Sequence, residues 1–402
     1  MLRRRRLLST LFSPTPTPTP TTTTSPSPKP NPNHRSPHTK TLNETINDLF
    51  NERSLPKLVS LFKSSSSSYR FRCRHKIYSS AVARLAAAKR PSAVEEIIEH
   101  QKQFREDFRT EGFGVRLISL YGKAGMADQA ERMFGDLPGL GSPRTVKSFN
   151  ALLTAFADCG EFERLEAACR RLQDAEGDIR MNGISYNILI KSLCSRGKLD
   201  EAFETLDIME KNGILPCLVS YNTLLNAFYG NNRFSDAENI WDRMKKENIK
   251  PDTMSFNTKL RGLVSAGKTL EAADLVGELK IHGLKPDTHS FTALIKGYLT
   301  DGNIEEAKKV YMDLTQNDCA PNKGTFAIML PKLCDAGELD FALKLCNESM
   351  SRKRYADAEV VQRVVDELVK ASRVEEAEKL VELGRANEFP KKKLKMPIQL
   401  QS

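Results

Sequence analysis

The sequence lacks the arrangements that mark a metal centre or a disulfide framework. Its eight cysteines form no C-x-x-C pair and its six histidines do not cluster with them. Zinc-ligand spacing is therefore missing, and so is the cysteine density of a small secreted fold. Scattered cysteines in a long chain read as core filler and imply a reducing compartment. No run of about 18 apolar residues offers a membrane span. There is no Ser/His/Asp or Cys/His constellation and no H-x-E…P-C-x-x-C deaminase signature. An enzyme, a cofactor, a metal and a small-molecule substrate are accordingly not expected. The string "GLVSAGKT" at 262–269 matches G-x-x-x-x-G-K-[ST] letter for letter. A P-loop needs a buried strand before it, whereas the preceding "SFNTKLR" reads as helix.

Acid is absent from residues 1–43, which carry seven Arg or Lys, and from the segment after Glu388, which adds Lys391, Lys392, Lys393 and Lys395. These ends account for the net charge of +10 and leave a body of 50 basic and 51 acidic residues. The chain is thus not a polycation that coats phosphate by counterion release alone. Residues 1–43 read as a transit peptide, a short cationic amphipathic segment from Arg3 to Phe12, followed by a Pro/Thr-rich extended linker. The arginine run suits the mitochondrial matrix better than the alternatives, a plastid or dual targeting. Residues 389–402 form a basic tail that either touches phosphate or is simply solvated.

Repetition fills the space between these ends. Blocks of 35 residues run 183–217, 218–252, 253–287, 288–322 and 323–357. The block at 111–145 fits less cleanly, and 146–182 carries two extra residues near "AEGDIR". Degenerate helical hairpins occupy 44–110, and a truncated copy follows from Ala358 to about Glu388. In block 218–252, Tyr221, Leu224, Leu225 and Phe228 make one apolar helical face, and Phe234, Ala237, Trp241 and Met244 make a second. The third residue of each block (Ser148, Ser185, Ser220, Ser255, Ser290 or Thr325) is read as the N-cap of a first helix. Gly160, Gly197, Gly267, Gly302 and Gly337, with Asn232 as substitute, are read as the left-handed residue ending it. Pro216, Pro251, Pro286 and Pro321 are read as stopping the second helix. A small residue recurs inside each hairpin at Ala130, Ala202, Ala237, Ala272, Ala307, Ala342 and Ala377. One such hairpin cannot bury both faces, so its neighbours must stack. The expected fold is all-α, an α-solenoid superhelix of eight or nine hairpins.

"YNTLL…A…W…M…NIKPD" and its copies resemble the pentatricopeptide repeat, a 35-residue helical hairpin, over residues 111–388. The tetratricopeptide repeat is the nearest competitor, but its Trp and Gly-Tyr positions are missing. The resemblance implies a concave RNA-binding surface on which each repeat reads one base with two or three side chains. Carried over by register, the fifth and last residues of each block form the reading pairs. These are Asn150 with Asn182, Asn187 with Cys217, Asn222 with Asp252, Asn257 with Asp287, Thr292 with Asn322, and Ala327 with Asp357. Amides and carboxylates at solvent-facing sites supply the donors and acceptors that such reading needs. The family's pairing implies uracil for Asn–Asp, adenine for Thr–Asn and a pyrimidine for Asn–Asn, while Cys217 and Ala327 make poor readers. The apolar second position, which the family wedges between bases, is Ile184, Val219 and Met254, with departures at Lys147, His289 and Gly324.

In length, repeat number and the ending "VVDELVKASRVEEAEKLVELGRANEFPKKKLKMP", the chain resembles short members of the family that are small-subunit components of plant mitochondrial ribosomes. That resemblance implies rRNA and ribosomal proteins as partners. The alternatives are a free factor that binds one organellar transcript and a protein-binding scaffold that does not touch RNA.

Overall fold

The computed structural model describes residues 41–174, 179–351, 356–386 and 394–397. Residues 1–40, which hold nearly all of the expected leader and linker, lie outside that set, as do 175–178 and most of the basic tail. Among the described residues there is no strand.

The described residues open with α1 (Leu42–Asn51), α2 (Leu55–Ser65) and the single turn α3 (Tyr69–Arg72). Nine hairpins follow among the described residues. The first pairs α4 (His75–Ala87) with α5 (Pro91–Glu99); the next pair α6 (Glu111–Lys123) with α7 (Ala127–Asp136) and α8 (Val146–Cys159) with α9 (Phe162–Asp174). Then come α10 (Gly183–Ser195) and α11 (Leu199–Lys211), α12 (Leu218–Gly230) and α13 (Phe234–Lys246), and α14 (Thr253–Ser265) and α15 (Thr269–Ile281). The last three pair α16 (Thr288–Thr300) with α17 (Ile304–Gln316), α18 (Lys323–Asp335) with α19 (Leu339–Ser351), and α20 (Ala358–Lys370) with α21 (Val374–Ala386). Each first helix from α6 to α18 packs on the first helix of the next hairpin, and the second helices form the other layer. The result is the expected solenoid.

The core is a continuous seam between the two layers. The alanines at 130, 202, 237, 272, 307, 342 and 377 have no exposed surface, so the helices of each hairpin close without a gap. Trp241 fills the space beside Ala237 and meets Phe256 of the next repeat edge-on, at 5.4 Å between ring centroids. Such T-shaped arrangements are favoured by the ring quadrupoles.

Turn chemistry sets the helix boundaries. Gly160, Gly197, Gly267, Gly302 and Gly337 take positive φ, and Asn232 does so at 60°, as the sequence suggests. Gly267 is therefore a hairpin turn, and Gly262 sits inside α14, where a Cβ would fall 2.1 Å from Tyr229 Cδ1. The P-loop match is a coincidence of helix packing and turn chemistry.

Two local expectations are corrected. The prolines do not stop the second helices. Those helices end at Lys211, Lys246, Ile281 and Gln316, where Gly213, Asn248, Gly283 and Asp318 adopt left-handed backbone two residues further on. Pro216, Pro251, Pro286 and Pro321 come three residues later, each directly before the cap of the next helix. The third-position hydroxyls are not the N-caps either. The N-caps are Thr145, Asn182, Cys217, Asp252, Asp287 and Asn322, which hold extended backbone. The serines and Thr325 occupy N3, already inside the helix. From Asn182 to Asn322 they close a capping box, returning a bond to the cap's own N–H.

Candidate nucleic-acid interface

The fifth and last residues of each block meet at the junction between consecutive hairpins, and the buried third-position hydroxyl joins them. At the junction of α14 and α16, Ser290 Oγ donates to Asn257 Oδ1 at 2.6 Å and accepts from the Asp287 N–H at 3.1 Å. Asp287 Oδ1 in turn accepts from the Ser290 N–H at 3.0 Å and from Asn257 Nδ2 at 3.0 Å. The same closed ring links Asn222, Asp252 and Ser255, with Ser255 Oγ to Asn222 Oδ1 at 2.7 Å. It recurs for Asn150, Asn182 and Ser185, with Ser185 Oγ to Asn150 Oδ1 at 2.6 Å.

Each ring uses one Oδ1 lone pair and one Nδ2 proton of its fifth-position asparagine, so one acceptor and one donor position are left uncommitted by the ring. These amides are more enclosed than the sequence suggests: Asn150 is 9% and Asn257 8% exposed. Asn187, Asn222, Thr292, Asn182, Asp252, Asp287 and Asn322 are half-buried.

The ring weakens where the sequence departs from the pattern. At Cys217 the amide Nδ2 of Asn187 reaches only a thiol, at 3.6 Å, although Ser220 Oγ still donates to Asn187 Oδ1 at 2.6 Å. Thr292 is joined to Asn322 only through Thr325, hydroxyl to hydroxyl at 2.8 Å. Ala327 contributes nothing, and Asp357 makes no side-chain cap bond, pairing with Lys323 at 2.7 Å. At the α6–α8 junction Glu111 replaces the amide and accepts from the Thr145 and Ser148 N–H groups at 2.9 and 3.0 Å.

Partial burial pushes the Asp252 and Asp287 carboxyls up. The N–H groups of the following turn, with the Asn222 and Asn257 amides, outweigh it and hold both below the usual carboxylate range. Both are therefore anionic acceptors at neutral pH. Partial burial also raises the Cys217 thiol, but the Ser220 N–H, the Asn187 amide and the Ser220 hydroxyl bring it below the ordinary thiol value. Burial pushes Cys169 up to about 12 and Cys194 and Cys334 up to about 11. Cys217 is exposed, and Cys169, Cys334 and Cys346 are the buried cysteines. Iodoacetamide at pH 7.5–8 should therefore modify Cys217 at least about tenfold faster than Cys169, as peptide mapping would show. Equal rates would mean that the Cys217 environment does not stabilise a thiolate.

Ile184, Val219 and Met254 stand at the first turns of α10, α12 and α14, and they are 61%, 58% and 65% exposed. Between α10, α12 and α14 lies a solvent-open groove of about 840 Å³, whose lining includes Lys191, Val219, Asn222, Asn226, Asp252 and Met254. One turn beyond the fifth position, Lys191, Arg261 and Lys296 are exposed, on the helix face shared by residues i and i+4. The sequence reading missed this basic row, which the constant offset of four from Asn187, Asn257 and Thr292 could have revealed. Among the described residues no group of three or more His, Cys, Asp or Glu is placed to hold a metal, and no helix is long and apolar enough to cross a membrane.

Family models match the repeated region. The PPR repeat family matches at 216–265, 251–299 and 286–335, the pentatricopeptide repeat domain at 170–232, and the PPR repeat at 116–142. Over 179 residues the chain is 42% identical to the small ribosomal subunit protein mS78 (rPPR3a) of Arabidopsis thaliana, covering 44% of each chain. It is 37% identical over 179 residues to mS79 (rPPR3b) of the same plant, again covering 44% of each. A third Arabidopsis relative, the pentatricopeptide repeat-containing protein At1g80150, mitochondrial, is 39% identical over 173 residues, 42% of this chain and 43% of its own. Each match thus spans less than half of the relative's length. The 35-residue hairpins, their shared caps and these matches make the chain a member of the pentatricopeptide repeat family.

Proposed function

We propose that this chain is a non-catalytic RNA-binding component of the small subunit of the plant mitochondrial ribosome, supporting translation from the matrix. The observation that carries the reading is its identity to two small ribosomal subunit proteins over the same kind of repeats. The geometry supports RNA as the ligand. Polar pairs lie between exposed apolar residues, and stacking on Ile184, Val219 and Met254 would cover surface that water now wets. The row Lys191, Arg261 and Lys296 supplies charge for a phosphate backbone. Asn150, Asn182, Asn187, Asn222, Asp252, Asn257, Asp287, Thr292 and Asn322 are the proposed base-reading residues. The near-neutral body and the defective pairs at Cys217 and Ala327 suit rRNA and ribosomal proteins held by shape. By this reading residues 1–43 address the chain to mitochondria, 111–388 bind RNA, and 44–110 and 389–402 flank the array.

A second reading, a free factor for one transcript, is favoured by the two intact Asn–Asp pairs. Two such pairs and the Thr–Asn pair specify about three bases, which recur about once in 64 nucleotides. Sedimentation of mitochondrial lysate with and without RNase and EDTA separates the two. The ribosomal reading expects near-stoichiometric co-migration with the small subunit. Slow migration, with crosslinks confined to one mRNA site, would overturn it.

A further inference from the structure

The segment that follows α21 behaves as the start of another repeat. Leu394 is 3% exposed and packs against Gly384, where a Cβ would come within 2.8 Å of Leu394 Cδ1. Lys395 donates its N–H to Gln362 Oε1 at 2.9 Å, and its carbonyl accepts from Gln362 Nε2 at 2.7 Å. Gln362 is the fifth residue of the block that begins at Ala358, the position held by Asn187, Asn222 and Asn257 in earlier blocks. Lys395 lies 33 residues beyond it, the spacing that separates Asn222 from Ser255 and Asn257 from Ser290. The extra methylene of glutamine lets its amide reach backbone instead of a serine hydroxyl.

There is one difference of consequence. In the earlier rings each asparagine keeps one donor and one acceptor position unspent. Gln362 donates to the Lys395 carbonyl and also to Asp366 Oδ1 at 2.8 Å, so both Nε2 protons are engaged. An open groove of about 730 Å³ runs between residues 394–397 and the first turns of α20, at Ala358, Glu359 and Gln362. The fifth-position side chain of the last hairpin is thereby covered in cis.

We propose that residues 394–397 form a displaceable strap that ends the reading row, and that Gln362 becomes a further base-reading residue when the strap leaves. This rests on the RNA-binding reading above. Among the described residues, Leu394 and Met396 pack on the core and two backbone hydrogen bonds join Lys395 to Gln362, a smaller hold than a helix-on-helix interface. A nucleotide that offers an amide-like edge, as uracil does, would compete for the same Gln362 atoms.

The test uses the full chain and a 12-nucleotide oligo(U) carrying 4-thiouridine, with crosslinks mapped to peptides. Two variants release the strap differently: Leu394→Asp expels the anchor, and Lys395→Pro removes the N–H that Gln362 accepts. Hydrogen exchange across α18 and α19 checks that the fold survives. The proposal expects crosslinking to the α20 peptide to rise about fivefold or more in both variants, and to return to the wild-type level when Gln362→Ala is added. Crosslinks on α12 and α14 with no gain on α20, or equal α20 labelling in wild type, would overturn the strap alone. Absence of crosslinks from every helix would overturn the RNA reading with it.

Discussion

Asn257→Ala is expected to cost stability and RNA affinity together, and Ser290→Ala only the first. Removing the Asn257 amide takes away the 2.6 Å acceptor of Ser290 Oγ–H and the Nδ2 donor to Asp287, leaving the buried hydroxyl only the longer 3.2 Å contact with Asp287 Oδ1. Losing these bonds, one of them to a carboxylate, costs about 1–3 kcal/mol. Removing a hydrogen bond from the same side chain to a base edge weakens binding by about 1.4 kcal/mol, or about tenfold. Ser290→Ala breaks the same ring from inside, beyond the reach of any base. Thermal melting should therefore show similar losses for the two variants. Binding to U-rich RNA, measured well below the melting range, should fall about tenfold only for Asn257→Ala, and further with Asn222→Ala added. Equal RNA affinities would remove these asparagines from the binding site and leave them as joints.

Acid supplies an independent handle on the same ring. Asp252 and Asp287 have lowered carboxyl pKa values in the folded chain. Their contribution is complete above the unfolded aspartate value of about 3.9 and is lost as pH falls through the lower folded value. Asp287→Asn keeps the acceptor and removes the titration, so its melting temperature should depend less on pH below 5 than that of the wild type.

Trp241→Ala is expected to give the largest stability loss in the array. The indole is 1% exposed, meets Phe256 of the next repeat, and has Lys259 Nζ 4.8 Å from its ring centroid. Truncation of such a core aromatic costs about 3–5 kcal/mol. In a solenoid each hairpin contacts only its neighbours, so the loss stays local instead of abolishing the whole fold. Hydrogen exchange should therefore accelerate over α12–α15 while α4–α8 keep their protection, and melting should split into two transitions. A single cooperative transition with uniform loss of protection would contradict this nearest-neighbour picture.

The sequence makes the hairpins legible because a 35-residue period repeats its own punctuation. The left-handed glycines, the buried alanines and the two apolar faces of block 218–252 all stand where periodicity puts them. The ends of the second helices were obscured because Gly213, Asn248, Gly283 and Asp318 share a backbone conformation without sharing a side chain. Proline was the more visible neighbour. The proposed reading pairs are located by register, but their bonds to Ser185, Ser255 and Ser290 are not. A period fixes positions along the chain and says nothing about how one copy bonds to the next. The Gln362–Lys395 pairing was hidden for the same reason, in a segment whose lysines read as solvated charge.

The hydrogen-bond rings also give the array an uneven elasticity. Full rings clasp the junctions of α8 with α10, α12 with α14 and α14 with α16. The junction of α10 with α12 keeps the hydroxyl-to-amide bond and a weak thiol contact, that of α16 with α18 is joined through two hydroxyls, and among the described residues that of α18 with α20 has ion pairs in place of a ring. A pull along the axis would meet more ring hydrogen bonds from α12 to α16 than at α18–α20. That stretch carries both Asn–Asp pairs, so the proposed reading positions would keep their mutual spacing best there.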